Sequence, residues 1–158
     1  MMQSILGLAS GANYSFFAVP AAFLATCIAP HGYAILSARK HYDNARPRTF
    51  NEAVANDEEI EKPIRQRILR AQAASDNGIE SFGYFASGVV AANMAGLSNV
   101  KLNLLTYGYV LTRISYIVVY IHMQENRKYH FLRSTLWETA FSIVAAMWVM
   151  AGLNIMNK

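Results

Sequence analysis

The chain has 158 residues, of which 54% are hydrophobic and only 15% are charged, and its mean hydropathy is +0.18. A soluble domain carries about 25% charged residues, so this composition favours a membrane protein of one domain, spanning 1–158, with no room for a separate soluble catalytic domain. The net charge is only +4, and the single cysteine, Cys27, excludes an intramolecular disulfide and a multi-cysteine metal site.

The first predicted helix covers about residues 13–38, a run without formal charge that ends at Arg39 and Lys40. About 20 apolar residues cross a bilayer, so we expect a membrane span. Pro20 and Pro30 interrupt it, which membrane helices tolerate when neighbouring groups satisfy the freed carbonyls. No positive charge precedes the run, which predicts a retained anchor and not a cleaved signal peptide.

A polar connector over residues 39–62 leads to a second helix, predicted over about 63–97 with Gly96 near its end. This helix begins basic and becomes apolar from Ile79. Its polar side chains form one stripe about 140° wide. The stripe consists of Arg67, Arg70, Asn77 and Glu80. It is typical either of interhelical ion pairs or of a functional site, because charges within spans usually face a bundle interior or a cavity.

The third helix is predicted over about 102–123, after a tight turn formed by residues 98–101. On it, Arg113, Tyr116 and Tyr120 share one face. An arginine in the middle of a span needs an acidic partner or an anionic ligand. Glu80 is the internal candidate, although a buried ion pair often adds little net stability.

The fourth helix is predicted over about 134–156, and Glu138 lies about one turn inside it. Glu138 either reaches the interface, binds a basic neighbour or acts as a catalytic group. His31 and His122 have no second ligand at metal spacing, so we interpret both as structural histidines and expect no metal site. Cys27 has no nearby base and is interpreted as a packing residue.

The positive charges predict an orientation. Eight of the fourteen lysines and arginines lie between Arg39 and Arg70, and three lie between Arg127 and Arg133. The positive-inside rule places the connectors 39–62 and 124–133 in the cytosol and both termini on the opposite side. The alternative is that part of this charge is a surface patch attracted to anionic membrane lipid.

Three short motifs and one helix end occur in a specific order along these helices. They are Arg70-x-x-x-Ala74-x-x-Asn77-x-x-Glu80 followed by Phe85, Arg113-x-x-Tyr116-x-x-x-Tyr120, Leu132-Arg133-Ser134, and Ser37-Ala38-Arg39 at the end of the first helix. Together they resemble the MAPEG family, the membrane-associated proteins of eicosanoid and glutathione metabolism. The resemblance covers roughly residues 14–155.

The resemblance implies an all-α integral membrane protein, a four-transmembrane-helix bundle that assembles as a homotrimer. It also implies glutathione sites between neighbouring subunits, open to the cytosol, and a lipophilic small-molecule substrate that enters from the bilayer. The membrane is the endoplasmic reticulum in a eukaryote or the inner membrane in a bacterium. Nucleic acid is not an expected partner.

The resemblance also assigns residues to glutathione. Asn77 and Glu80 would hold the polar groups of the peptide, with Arg70 nearby, and Arg39 would meet a carboxylate. Three residues would line the site from the third helix: Arg113, Tyr116 and Tyr120. Arg133 would donate a hydrogen bond to the glutathione sulfur and favour the thiolate, and Arg127 is the alternative for this role. Tyr120 is a further catalytic candidate.

The implied activity is that of a glutathione transferase or peroxidase acting on lipophilic electrophiles or hydroperoxides. Alternatives are an isomerase or other tailoring enzyme for a hydrophobic metabolite, with Tyr116, Tyr120 or Glu138 as acid or base, and a non-catalytic scaffold that binds a lipid. A proton-coupled carrier built on Glu80 and Glu138 is a further alternative. The chain departs from the family at Ala73, where an arginine is common, and at Gly83, where a proline is common.

Overall fold

The structure is a computed structural model that describes residues 11–157. Within this range the chain forms helices and no strands. We number the helices α1 (Ser15–Ser37), α2 (Phe50–Ala55), α3 (Lys62–Met94), α4 (Asn99–Met123) and α5 (His130–Met156). The four long helices pack against one another, and the short α2 packs on the first half of α3.

Three helices are long and apolar enough to cross a membrane: Ser15–Ser37, Asn99–Met123 and Arg127–Met156. Helix α3 is the longest, with 33 residues, but it does not belong to this group. Its first half carries the basic residues, and only about its last 16 residues, from Ile79, are mainly apolar. A span needs about 20 such residues. The spanning role predicted for this helix therefore stays a prediction.

The ends of α3, α4 and α5 differ slightly from the predicted ones. Helix α3 ends at Met94, and Gly96 follows with a φ of +80°, as the position of this glycine predicted. The Leu97 amide donates to the carbonyl of Ala92 and the Gly96 amide to that of Asn93, which is a Schellman motif. Helix α4 begins at Asn99, three residues early, and α5 begins four residues early, because polar first turns extend beyond the apolar runs.

Helices α1 and α3 cross in very close contact. Pro30 has no N–H for the carbonyl of Thr26, and residues Leu24–Ile28 accordingly form a π-helical turn. This carbonyl lies against Gly78, where an added Cβ would be only 2.3 Å from the oxygen. One residue further along α1, the carbonyl of Cys27 accepts a hydrogen bond of 2.7 Å from Ser75 Oγ. The crossing fixes the position of α3 at the level of Asn77.

Two groups of buried apolar residues form the core. One lies toward the chain termini and includes Phe85 and Tyr109, whose rings stack with centroids 3.9 Å apart. The other lies toward the connectors and includes Ile68 of α3, with Phe50 and Val54 of α2 packed onto it. Along the helices, Asn77 and Glu80 of α3 and Arg113 of α4 lie between these two groups.

Candidate functional site

A cleft with a volume of about 330 Å³ opens between α3, α4 and α5. Six side chains line it: Asn77, Tyr116, Arg133, Ser134, Trp137 and Glu138. Its volume is that of a small-molecule site. Asn77, Tyr116 and Arg133 had been predicted to bind glutathione, and Glu138 had been a catalytic alternative, so residues distant in sequence meet here.

Arg113 lies near the middle of α4 and is only 1% exposed. Its Nη1 donates a hydrogen bond of 2.8 Å to Asn77 Oδ1, and its guanidinium carbon is 4.8 Å from the centroid of the Tyr116 ring. The internal partner expected for Arg113 was Glu80, and this expectation was wrong: among residues 11–157 no carboxylate forms an ion pair with Arg113. The polar group that contacts Arg113 is instead the side-chain amide of Asn77.

Arg133 lies in the first turns of α5, and its guanidinium carbon is 5.1 Å from the centroid of the Tyr120 ring. The Tyr120 ring is in turn 5.7 Å from that of Tyr116. Two arginines therefore sit against two neighbouring aromatic rings of α4. The spacing on α4 predicted that Arg113, Tyr116 and Tyr120 share a face, but it did not predict the contact with Arg133. Cation–π contacts of this kind orient a guanidinium while leaving its N–H groups free to donate.

An adjoining cleft of about 220 Å³ extends along α3 and α5. Asn77 is shared with the first cleft, and Glu80 lies here with the aromatic side chains. The ring centroid of Phe141 is 5.4 Å from that of Tyr84 and 5.7 Å from that of Trp137. These three rings, of Tyr84, Trp137 and Phe141, form an aromatic wall that was not predicted. The spacing of Trp137 and Phe141, one helical turn apart on α5, was the available signal.

Arg70 is engaged elsewhere. Its Nη2 donates to the carbonyl oxygen of Ile121 at 3.1 Å and lies 3.2 Å from a carboxylate oxygen of Glu125. Arg67 shares the same carboxylate at 3.0 Å. The two guanidinium groups, Arg67 first, lower the pKa of Glu125 below its ordinary value. The sequence pattern does not indicate Glu125, because this residue lies in a connector far along the chain from α3.

Arg39 and Arg127 do not line either cleft. Both lie in single 3₁₀ turns that connect the helices, and both are exposed. Of the two candidates for thiol activation, only Arg133 therefore faces the cleft within one chain. Arg39 lies apart from both clefts of its own chain.

The connector between α1 and α2 is held by a second ionic cluster. Asp57 is 2.7 Å from Nε2 of His41 and 3.0 Å from Nζ of Lys40, and it also accepts the backbone N–H of Glu59. These contacts, the Lys40 hydrogen bond first, lower the pKa of Asp57 to about 2. The same ion pairs raise the pKa of Lys40, with its contact to Glu59 contributing most.

The remaining candidates have ordinary structural contacts. His31 Nδ1 lies 2.8 Å from the side-chain oxygen of Gln72, and the His122 ring packs edge-on against that of Tyr33. Cys27 is buried in the helix packing, as predicted. In the part of the chain that the structure describes, no group of three or more His, Cys, Asp or Glu residues is arranged to hold a metal ion.

The polar groups of the cleft can bind a ligand that carries both a positive and a negative charge. The guanidinium of Arg133 and the side-chain N–H groups of Asn77 can donate hydrogen bonds, whereas the carboxylates of Glu80 and Glu138 can accept them. The aromatic wall beside these groups offers an apolar surface. A polar ligand and an apolar one can thus lie side by side.

Comparison with known proteins identifies the family of the chain. A family model described as the MAPEG family matches residues 17–153, most of the chain. The resemblance drawn from the sequence motifs is therefore confirmed. No curated protein and no solved structure matches the chain.

Proposed function

Because this chain belongs to the MAPEG family, a family of membrane proteins that includes glutathione transferases and isomerases, we propose that it is a membrane glutathione transferase or peroxidase. Its proposed reaction is the addition of the glutathione thiol to a lipophilic electrophile, or the reduction of a lipophilic hydroperoxide. The observation that carries the proposal is the position of Arg133, which lines a cleft of about 330 Å³ together with Asn77 and Tyr116.

Glutathione is proposed to lie in this cleft with its polar groups on α3. The side-chain N–H groups of Asn77 donate to a peptide carbonyl or carboxylate, because the amide oxygen is already occupied by Arg113. Glu80 accepts the α-amino group from the adjoining cleft. Tyr116 and Tyr120 form the wall beside the cysteine residue of the bound glutathione. Arg113 acts from behind the cleft by holding Asn77.

Arg133 is proposed to stabilise the thiolate. A free thiol has a pKa of about 8.5 and reacts as the thiolate. Lowering that pKa by about two units requires roughly 2.7 kcal/mol of preferential stabilisation. A hydrogen bond from a charged donor contributes about 1.5–3 kcal/mol, so one guanidinium suffices. Tyr120 contacts the guanidinium of Arg133 and holds it toward the sulfur.

In the transferase reaction the thiolate sulfur forms a bond to an electrophilic carbon of the second substrate, and the leaving group or the opened ring takes the electron pair. The proton released from the thiol leaves through the open cleft. The aromatic wall formed by Tyr84, Trp137 and Phe141 holds the apolar substrate next to the sulfur. Positioning of this kind supplies much of the rate in a bimolecular reaction.

Assembly completes the proposed site. We infer a homotrimer of four-transmembrane-helix bundles, in which Arg39 of one chain approaches the cleft of its neighbour and meets a glutathione carboxylate. Arg67 and Arg70 lie about two to three turns before Asn77 on α3 and share a single carboxylate, that of Glu125, so their net positive charge attracts the anionic tripeptide. The connectors face the cytosol in this arrangement, in agreement with their excess of lysine and arginine.

A second candidate function uses the same cleft. Tyr116 and Glu138 line it together, so a weak acid and a carboxylate base are both available to a ligand bound there. This pair favours an isomerase or another tailoring enzyme for a hydrophobic metabolite, in which one group removes a proton and the other returns it.

A thiol-consumption assay with a generic aromatic electrophile separates the two functions. Wild-type protein in lipid nanodiscs is expected to consume glutathione, and Arg133→Ala is expected to lose most of this activity while binding glutathione at a similar concentration. Arg127→Ala is the matched control and retains activity. Glutathione binding without thiol consumption would favour the isomerase, and absence of both would favour a lipid scaffold.

A further inference from the structure

Arg113 has two side-chain donors, Nε and Nη2, that no described residue of the chain accepts from. Its side chain is 1% exposed, and Nη1 is satisfied by Asn77. Nε and Nη2 are both buried and have no hydrogen-bond partner within the described chain. Buried polar groups in proteins are nearly always paired, because an unmade hydrogen bond is costly. Two unused donors on one buried guanidinium therefore indicate a ligand.

Arg113 lines a small pocket next to the adjoining cleft, with a volume of about 30 Å³. Its walls are formed by Ser81, Tyr84, Tyr109, Arg113, Trp137, Ala140, Phe141 and Val144. One water-sized probe occupies about 10–15 Å³, so the pocket accommodates roughly two water molecules or one group of a few atoms. Most of its wall is apolar.

No ion pair compensates the charge of Arg113 within the described residues. Its contacts are an amide oxygen and the face of the Tyr116 ring, and both are neutral. Glu80 and Glu138 line the two clefts, and neither forms an ion pair with it. Arginine stays protonated in proteins. Two water molecules could satisfy the hydrogen bonds of this guanidinium, but they would leave its charge unpaired in a region of low dielectric constant.

We propose that the small pocket is an anion site, in which Nε and Nη2 of Arg113 bind one small monoanionic group. The ligand would carry a single negative charge on one or a few atoms. Two sources fit it: a halide from solution, and the carboxylate end of an acyl chain that enters past Tyr84 and Phe141. A tripeptide does not fit into this volume, so the anion site does not depend on the proposed function, although Ser81, Tyr84, Trp137 and Phe141 also line the adjoining cleft.

The test is the dependence of thermal stability on the anion, measured in nanodiscs of zwitterionic lipid at constant ionic strength and a fixed scan rate. Chloride is compared with isethionate, whose organic anion is too large for the pocket. An anion that binds only the folded state raises the apparent melting temperature, and the effect grows with its concentration. We expect such a rise in chloride and bromide but not in isethionate.

Two variants assign the effect to its residue. Arg113→Gln removes the charge and is expected to weaken the anion dependence by roughly tenfold or more in apparent Kd. Arg46→Gln is the matched control, since it removes an arginine that is paired only with Asp43 on the surface; its chloride dependence stays that of the wild type. If Arg113→Gln fails to fold, the comparison of chloride and bromide with isethionate in the wild type still tests the proposal.

A second arm replaces chloride by laurate in the isethionate buffer. Stabilisation of the wild type by laurate, absent in Arg113→Gln, identifies a carboxylate as the bound group. Stabilisation by chloride alone identifies a halide. Three results overturn the proposal: no dependence on either anion, an equal dependence in Arg113→Gln, or competitive loss of the chloride effect when glutathione is added.

Discussion

Arg113 on α4 and Asn77 on α3 are joined by a hydrogen bond of 2.8 Å from the guanidinium Nη1 to the amide Oδ1. This bond fixes which end of the amide faces the cleft, because the oxygen is taken and the side-chain N–H groups remain free. A buried cation thus determines the hydrogen-bonding character of a residue that lines the candidate site. The same bond ties the two helices together close to the crossing of α1 with Gly78.

We expect Asn77→Asp to separate binding from stability. An aspartate at this position forms an ion pair with Arg113 but offers only acceptors to the ligand. Glutathione binding therefore weakens by about tenfold or more, as expected for losing a hydrogen bond to a charged group, whereas the apparent melting temperature is unchanged or higher. Titration calorimetry and thermal unfolding in nanodiscs measure the two effects.

Asn99→Asp is the matched control for this prediction, since it adds the same negative charge at the start of α4, away from the cleft. It is expected to leave glutathione binding unchanged. Tighter glutathione binding in Asn77→Asp would contradict the account of the amide.

The close crossing of α1 and α3 predicts unequal effects of two glycine substitutions on the same helix. In Gly78→Ala the new Cβ would lie 2.3 Å from the carbonyl oxygen of Thr26, so the helices must move apart. We expect a loss of stability of about 1–3 kcal/mol or more. Gly83 has no described atom of another segment within 4 Å of the corresponding position. Gly83→Ala therefore leaves stability unchanged or raises it by up to about 1 kcal/mol. Unfolding by a denaturing detergent measures both.

The sequence predicted the four long helices well, because uncharged runs and a single end signal such as Gly96 are local features. It also predicted that Arg113, Tyr116 and Tyr120 share a face, since that relation depends only on the helical repeat. Which neighbouring residue meets that face could not be predicted in the same way. Asn77 and not Glu80 contacts Arg113, and this depends on the rotation of α3 relative to α4.

The predicted site residues do not all lie together in the structure, because their positions also depend on how the helices are rotated relative to one another. Arg70 follows the polar stripe of α3, but it lies one and a half to two turns from Asn77 and meets the connector after α4. The π-helical turn at the end of α4 leaves the Ile121 carbonyl free to accept from Arg70. Neither that turn nor the carboxylate of Glu125 leaves a local signal in the sequence. Their partnership arises from packing alone.

The pairing of Glu125 with Arg67 and Arg70 predicts that Glu125 competes with an anionic ligand. We expect Glu125→Gln to bind glutathione about two- to fivefold more tightly, the range of a partly exposed ion pair. The effect decreases at high salt, because screening weakens both interactions. Glu52→Gln, which removes a carboxylate from α2, is the control with no change. Weaker binding in Glu125→Gln would show that Glu125 positions the arginines and does not compete.

The low pKa of Asp57 predicts an acid-sensitive connector. A carboxyl group whose folded pKa is about 2, against roughly 3.9 when unfolded, stabilises the fold above pH 4. This contribution is lost as the pH falls from about 4 toward 2. Pepsin cleavage of the connector, normalised to cleavage of the isolated peptide, should therefore accelerate over that interval.

In Asp57→Asn the connector is expected to be cleaved rapidly already at pH 4, with little further change on acidification. Glu58→Gln removes a neighbouring carboxylate and is expected to behave like the wild type. Equal pH profiles for wild type and Asp57→Asn would rule out the ionic cluster as the group that holds the connector.

The central claim is that Arg133 stabilises a glutathione thiolate in the cleft between α3, α4 and α5. Titration of glutathione into the detergent-purified protein at neutral pH, followed by the ultraviolet absorbance of the thiolate, tests it directly. We expect a saturable thiolate signal in the wild type and in Arg127→Ala, and its loss in Arg133→Ala. A signal that disappears in Arg127→Ala but persists in Arg133→Ala, or no signal in the wild type, would rule out Arg133 as the activating residue.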